Sequence, residues 1–213
     1  MALNLLKHGN TLTVWSRRSE SMKPLLDAGA QGASSPAEVA KAADIVFSML
    51  PDSADVREVM LGEQGVAKGA RTGLIAVDMS TIYPQAARQI GAELEALGVP
   101  FLDAPVSGAE TGAIAGSLSI MVGGPSAAFL LVKPLFEYMG KSVIHLGASG
   151  AGQAAKAANQ IITGVNVLAI AEAFSFARKN GVDLAKLKDV FMGGSAYSRT
   201  LELHGPRMLD RNF

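Results

Sequence analysis

The run Ala43–Leu50 (ADIVFSML) reads as one continuous apolar strand ended by Pro51. A strand without polar alternation has to be covered on both faces, which points to a parallel sheet between helical layers. The pattern recurs at Gly73–Val77 (ending at Asp78), at Val99–Leu102, at Leu118–Val122 (ended by Gly123, Gly124 and Pro125) and at Ser142–Leu146. A shorter strand is expected at Leu12, Val14 and Trp15. Helical patterns lie between these runs. Ser19–Ala28 stops at Gly29, a helix capped by Asp52 or Ser53 runs through Met60, Pro84–Leu97 closes at Gly98, and Ser126–Tyr138 precedes the last strand. This alternation predicts an α/β, doubly wound, mostly parallel sheet. Ligands of such sheets bind at the carboxyl ends of strands. Those ends are Ser16-Arg17, Leu50-Pro51, Met79-Ser80-Thr81 and the stretch from Asp103 to Gly108.

After Gly147 the period becomes helical. Gln153 to about Asn180 is apolar almost all round, which predicts a buried helix. Gly181 ends it, and Leu184–Met192, Gly193-Gly194 and a polar helical segment follow. The expected organisation is an α/β domain over residues 1–147 and an all-helical region over 148–213. Met1–His8 reads as the second half of an amphipathic helix closed at Gly9, with no N-cap and no strand before it. A dinucleotide-binding βαβ unit starts with a strand and a glycine-rich turn, and in the doubly wound order that strand is central. The expectation is therefore a chain cut at both ends, in which the strands on either side of that central position lack their shared neighbour.

Composition narrows the function classes. The 213 residues are 49% hydrophobic and 18% charged with zero formal net charge, so the chain is globular and no charge favours nucleic acid or an anionic membrane as partner. The absence of cysteine excludes disulfides, thiolate catalysis and thiolate metal sites. His8, His145 and His204 lie far apart without ligand spacing, and no metal is expected. The longest apolar run, Ile161–Phe176, is interrupted by Thr163, Asn166 and Glu172, so no membrane span is expected. The start MALNLLKHGN has neither a basic n-region nor a cleavage site, and a soluble cytoplasmic protein is the expectation.

Four polar side chains interrupt the apolar helix. Lys156, Asn159, Gln160 and Thr163 share one face at i, i+3, i+4 and i+7. They suit either a snorkelling lysine with backbone-bonded amides or, in a cleft, a general acid beside substrate-orienting amides. Ser107-Gly108 offers a hydroxyl and main-chain N–H groups to a small carboxylate, although its local sequence equally describes a turn. Gly108, Gly112 and Gly116 are four apart, as in helix packing. Arg17-Arg18 follows the strand end where a dinucleotide's adenosine ribose would lie. An arginine there suits a 2′-phosphate, favouring NADP(H) over NAD(H), while a solvated basic pair is the plainer reading. Asp103 is expected to bond the turn that follows it.

DAPVSGAETGAIAGSLSIMVGG at 103–124 and GASGAGQAAKAANQ at 147–160 resemble the substrate-binding and catalytic-lysine signatures of the β-hydroxyacid dehydrogenase (3-hydroxyisobutyrate dehydrogenase-like) family. SMLPDSADVREVM at 48–60 and VDMSTIYP at 77–84 resemble its cofactor-contacting strand ends. The Asn159-Gln160 pair and the ending MLDRNF (Met208–Phe213) are most similar to the branch of tartronate semialdehyde (2-hydroxy-3-oxopropionate) reductases. The resemblance implies a Rossmann-type domain and an NADP-dependent oxidoreductase, NAD also being accommodated, that interconverts a small hydroxy acid and its oxo acid. Lys156 would protonate the carbonyl oxygen and Asn159 would orient the substrate. Ser107 and Gly108 would hold its carboxylate, and Gln160 would also bind the substrate. Ser16, Arg17, Leu50, Pro51 and Thr81 would touch the cofactor. 3-Hydroxyisobutyrate oxidation and glyoxylate or succinic semialdehyde reduction are alternative activities. A homodimer or homotetramer is expected from the apolar helix. Family members begin with the strand and G-x-G-x-x-G turn and continue beyond residue 213, so a non-catalytic remnant that binds no dinucleotide is the alternative of another class.

Overall fold

Each apolar run becomes a strand. In the computed structural model, which describes residues 1–212, β1 is Thr13–Val14, β2 Gln31–Gly32, β3 Ile45–Ser48, β4 Ile75–Asp78, β5 Phe101–Asp103, β6 Val106–Ser107, β7 Leu118–Gly123 and β8 Gly140–Gly147. The helices are α1 (Ala2–Lys7), α2 (Lys23–Leu26), α3 (Pro36–Ala42), α4 (Ser53–Leu61), α5 (Val66–Gly69), α6 (Pro84–Ala96), α7 (Ala109–Ala115), α8 (Ser126–Glu137), α9 (Ala151–Lys179), α10 (Leu184–Gly193) and α11 (Arg199–Leu209). The chain divides into two units, Met1–Lys156 and the part from Ala157 onward, with the boundary inside α9.

In the first unit, six strands form a sheet of order β3-β4-β5-β7-β6, with β8 also on β7. The β3–β4, β4–β5 and β7–β8 pairs are parallel, and β7 runs antiparallel to β5 and β6. Both faces of β4 and β5 are covered, which is why these strands carry no polar alternation, whereas β8, also expected to be covered, leaves Ile144 and Leu146 exposed. On β4, Ile75 and Val77 join Leu102, Ile120, Val132 and Phe136 on one side. Ala76, between them, joins Val46, Met60, Leu94 and Phe101 on the other.

Strand ends obey local chemistry. The Asp52 carboxylate caps α4 by accepting from the Asp55 N–H at 2.9 Å. The sequence reading passed over α3, although Ser35 caps it and Glu38 accepts from the Ser34 N–H and hydroxyl at 2.8 Å. The expected Ser19–Ala28 helix is a 3₁₀ turn over Ser19–Met22 followed by the short α2, with Pro24 near its start. The three spaced glycines start, pack and end one short helix. Gly108 precedes α7 with φ +135°, Gly112 lies against Leu118, and Gly116 closes the helix in the left-handed region.

β1 and β2 pair in parallel with each other as a separate two-stranded sheet. β1 and β3, the expected neighbours of a shared central strand, are not paired, and both line one cavity of ≈ 1130 Å³.

The second unit holds most of α9, with α10 and α11. Ile170, Phe174 and Leu201 are its buried centre, packed by Leu184, Leu187 and Phe191. The sequence reading expected the apolar helix to be buried, but much of α9 is not. Ile161, Ile162, Val165, Leu168 and Phe176 are exposed, because within this unit only α10 and α11 are available to cover one stripe of the helix. By length and hydropathy α9 alone would suffice to cross a membrane.

Candidate active site

The start of α9 is set into the carboxyl edge of the sheet. A Cβ on Gly152 would come within 2.5 Å of the Asp103 carbonyl oxygen and collide with that of Met121. One on Gly123 would lie 2.6 Å from Asp103 Oδ1 and 2.8 Å from the Gly152 nitrogen. Only glycines at both places let helix and strands approach this closely.

Asp103, fully buried at the end of β5, fastens that contact. Its carboxylate accepts from the Gly150 N–H at 2.7 Å and the Gln153 N–H at 2.9 Å. An anion at a helix start satisfies N–H groups that have no partner in the helix. Asp103 therefore does not bond its own turn, as the sequence suggested. The N–H groups around the start of α9, which have no partner within the helix, take the carboxylate instead. Burial pushes its carboxyl above the usual carboxylate range, and the bonds from Gly150 and Gln153 oppose that rise.

Gln153 is buried too. Its side-chain N–H donates to the Ser80 carbonyl at 2.8 Å, and its Oε1 accepts from the Ile82 N–H at 3.1 Å. No other orientation of the amide satisfies both partners. Next to β5, Asp78 ends β4 and is equally buried. Its Oδ1 accepts from the Ser48 hydroxyl at 2.7 Å and the Ser80 hydroxyl at 2.5 Å, whereas Oδ2 has no partner. Burial, and secondarily the charge of Asp103, raise its pKa against the pull of the two serines. The Ser80 hydroxyl also accepts from the Leu50 N–H at 2.8 Å, tying the end of β3 to that of β4.

Lys156 lies one helical turn beyond Gly152 and is 9% exposed. Burial alone lowers its pKa; no carboxylate acts on it. Asn159 is half-buried and Gln160 exposed, and the Asn159 amide donates to Gln160 Oε1 at 3.0 Å. Both stand on α9 past the unit boundary. Ser107 is half-buried on β6, opposite Ser119 of β7, and Gly108 is exposed beside it.

Ser16, Arg17, Leu50 and Pro51 line the ≈ 1130 Å³ cavity between β1 and β3, with Val46 and Met79 among its apolar walls. Thr81 does not line it. It is exposed in the loop after β4, between the two residues held by Gln153. Arg17 Nη1 is 2.7 Å from Asp55 Oδ1, so an acid does reach this strand end, from α4 rather than from the residues just after β1. Two guanidinium groups and a serine hydroxyl over apolar walls fit the ribose-phosphate and adenine end of a dinucleotide. Sequence reasoning missed Gln153, Asp55 and Asp78. Only the density of glycine in GASGAG hinted at the close contact around Gln153. Among the described residues no group of three or more acidic or histidine side chains could hold a metal ion.

A mostly parallel sheet with helices packed on its faces, a largely apolar cavity between β1 and β3 that carries Ser16 and Arg17, and further helices later in the chain form the architecture of nicotinamide-dependent oxidoreductases. Residues 1–147 match the NAD binding domain of 6-phosphogluconate dehydrogenase, and residues 150–213 match the NAD-binding domain of NADP-dependent 3-hydroxyisobutyrate dehydrogenase. The chain is 45% identical to 2-hydroxy-3-oxopropionate reductase of Escherichia coli K12 over 213 residues, covering 100% of this chain and 73% of that one. It is 39% identical to 3-hydroxyisobutyrate dehydrogenase of Pseudomonas aeruginosa over 206 residues, covering 97% of this chain and 69% of the relative. The structure of Psf3 in complex with NADP+ and 2-OPP superposes with a TM-score of 0.91 at 28% identity, over 100% of this chain and 75% of that one. The protein belongs to the 3-hydroxyisobutyrate dehydrogenase-like family of NAD(P)-dependent β-hydroxyacid dehydrogenases, and its chain is shorter than these relatives.

Proposed function

We propose that this protein uses NADPH to reduce tartronate semialdehyde to glycerate, with Lys156 as the proton donor. The observation that carries this reading is the buried Lys156, one turn above a helix start locked to the carboxyl edge of a dinucleotide-binding sheet. The 45% identity to a 2-hydroxy-3-oxopropionate reductase supports this substrate over 3-hydroxyisobutyrate, glyoxylate or succinic semialdehyde.

The bound nicotinamide supplies the hydride when the oxo acid is reduced and accepts it in the reverse direction. The chain's residues do the rest. Ser107 and Gly108 hold the substrate carboxylate by a hydroxyl and main-chain N–H. Asn159, with Gln160, orients the substrate. Lys156 Nζ holds a proton against the carbonyl oxygen and releases it as the alkoxide develops. Burial weakens the hold of the ammonium on that proton, bringing its acidity closer to the working pH. Arg17, with Ser16, holds the 2′-phosphate of the cofactor, and Leu50, Pro51 and Thr81 flank it. The exposed apolar stripe of α9 supports a homodimer or homotetramer, a state that light scattering measures directly.

Initial rates with NADPH and each of the three oxo acids, and with NADP+ and 3-hydroxyisobutyrate, test the substrate. Tartronate semialdehyde is expected to give the highest kcat/KM, and Lys156→Ala to lower kcat by about 100-fold or more with little change in cofactor affinity. A titration with NADPH that shows no binding would support the reading as a non-catalytic remnant.

A further inference from the structure

Gln153 reaches two strand ends, one through its side chain and the other through its main chain. Its side chain grips the main chain on both sides of Thr81, donating to Ser80 and accepting from Ile82. Its own N–H is held by Asp103 at the end of β5. Three residues on along the same helix face stands Lys156. The amide thus occupies the place a neighbouring strand's peptide would take beside the Ser80–Ile82 loop, but it is carried by the helix that bears the proton donor.

We propose that Gln153 is a positioning residue that sets the placement of Lys156 relative to the Thr81 loop, and so aligns the proton donor with the nicotinamide side of the site. Three features support this. Gln153 is 1% exposed, so both bonds are sheltered from competing water. The backbone groups it satisfies are loop groups after the end of β4, with no strand ladder to hold them. Finally, Gly152, beside it, lies directly against the carbonyls of Asp103 and Met121, so Gln153 joins the Ser80–Ile82 loop to the point where helix and strands meet. The inference rests on the functional reading above, in which Lys156 donates the proton and Thr81 flanks the cofactor.

The test compares Gln153→Met, which keeps the shape and removes both side-chain bonds, with Gln153→Glu, which keeps the acceptor for Ile82 and loses the donor to Ser80 in its ionised form. Amide hydrogen exchange of the free chain gives a readout without catalysis. The Met variant is expected to raise exchange in residues 80–83 and 150–156 while the β4–β5 and β7–β8 ladders stay protected. Uniform loss of protection would show a merely structural role and overturn the proposal. In turnover, the Met variant should lose about 30-fold or more in kcat with KM for the oxo acid within threefold. Its isotope effect with deuterated NADPH should rise as hydride transfer becomes more limiting. The Glu variant should recover part of the lost kcat as pH falls and its carboxyl regains a donor. If Lys156→Ala abolishes turnover while Gln153→Met leaves kcat unchanged, the positioning role is wrong and the functional reading stands. If Lys156→Ala leaves turnover intact, or the unaltered chain shows none, the functional reading falls and the alignment role falls with it.

Discussion

Asp78 and Asp103 are register partners at the ends of adjacent parallel strands, and their fully buried carboxylates hold different things. Asp103 binds N–H groups at the start of α9, whereas Asp78 binds two hydroxyls and leaves one oxygen without a partner. One acid anchors a helix. The other is a costly buried charge at the centre of the strand-end network.

That cost predicts a pH dependence. Burial raises the pKa of Asp78 in the folded protein above its ordinary value of 3.8. The folded state then binds the proton more tightly than the unfolded state. Stability from this group is highest at low pH and falls as pH rises from about 4 through the folded value. Asp78→Asn removes this contribution and keeps an oxygen for Ser48 and Ser80. Urea unfolding at a series of pH values should show a flatter profile for the variant, and at pH 7 a stability within about 1 kcal/mol of the parent. A large loss at pH 7 with an unchanged slope would contradict this account.

Two glycines of α9 should respond in opposite directions. A Cβ at Gly152 collides with strand backbone, which cannot step aside, so Gly152→Ala is expected to destabilise by about 3 kcal/mol. Around Gly164 nothing lies within 4 Å, and alanine there removes the helix penalty of glycine, stabilising by about 0.5–1 kcal/mol. Thermal melts of the two single variants decide the point, and equal shifts would mean that the helix start is not pressed against the strands.

Lys156 should limit stability for the sake of chemistry. Its folded pKa lies below the ordinary 10.5, so the unfolded state binds the proton more tightly and stability rises with pH between the lowered value and 10.5. Lys156→Met is expected to be at least as stable as the parent at pH 7, to lack that alkaline rise and to lose about 100-fold or more in kcat. A variant that is both less stable and fully active would reverse the assignment.

Arg17 is held by Asp55 yet keeps further guanidinium donors, since the ion pair joins Nη1 to one carboxylate oxygen. Arg17→Ala is expected to weaken NADPH binding about tenfold while NADH binding changes little, read by fluorescence titration of each cofactor. Equal effects on both cofactors would place the arginine away from the 2′-phosphate.

Much of this protein is legible along the chain because the signals are local. Continuous apolar runs, the Asp52 cap and the glycine stops report on their own neighbours, so the strands, most helices and the change from sheet to helix after Gly147 follow from them. The same locality puts Lys156, Asn159 and Gln160 on one helix. The exposure of α9 was not legible, since hydropathy says that an apolar face needs cover but not how many helices are at hand to cover it. Asp103 looked like a turn residue because a carboxylate at a strand end accepts from whatever donors reach it, and those donors lie 47 and 50 residues on. Asp55 beside Arg17, and Gln153 gripping the loop around Thr81, arise in the same way from segments that meet only when the sheet is assembled. The residue types and their order were sufficient for the fold class and the family likeness. Which buried groups hold the start of α9 against the sheet was decided by tertiary structure, because hydrogen bonds between strand ends depend on the sheet order and no sequence spacing records it.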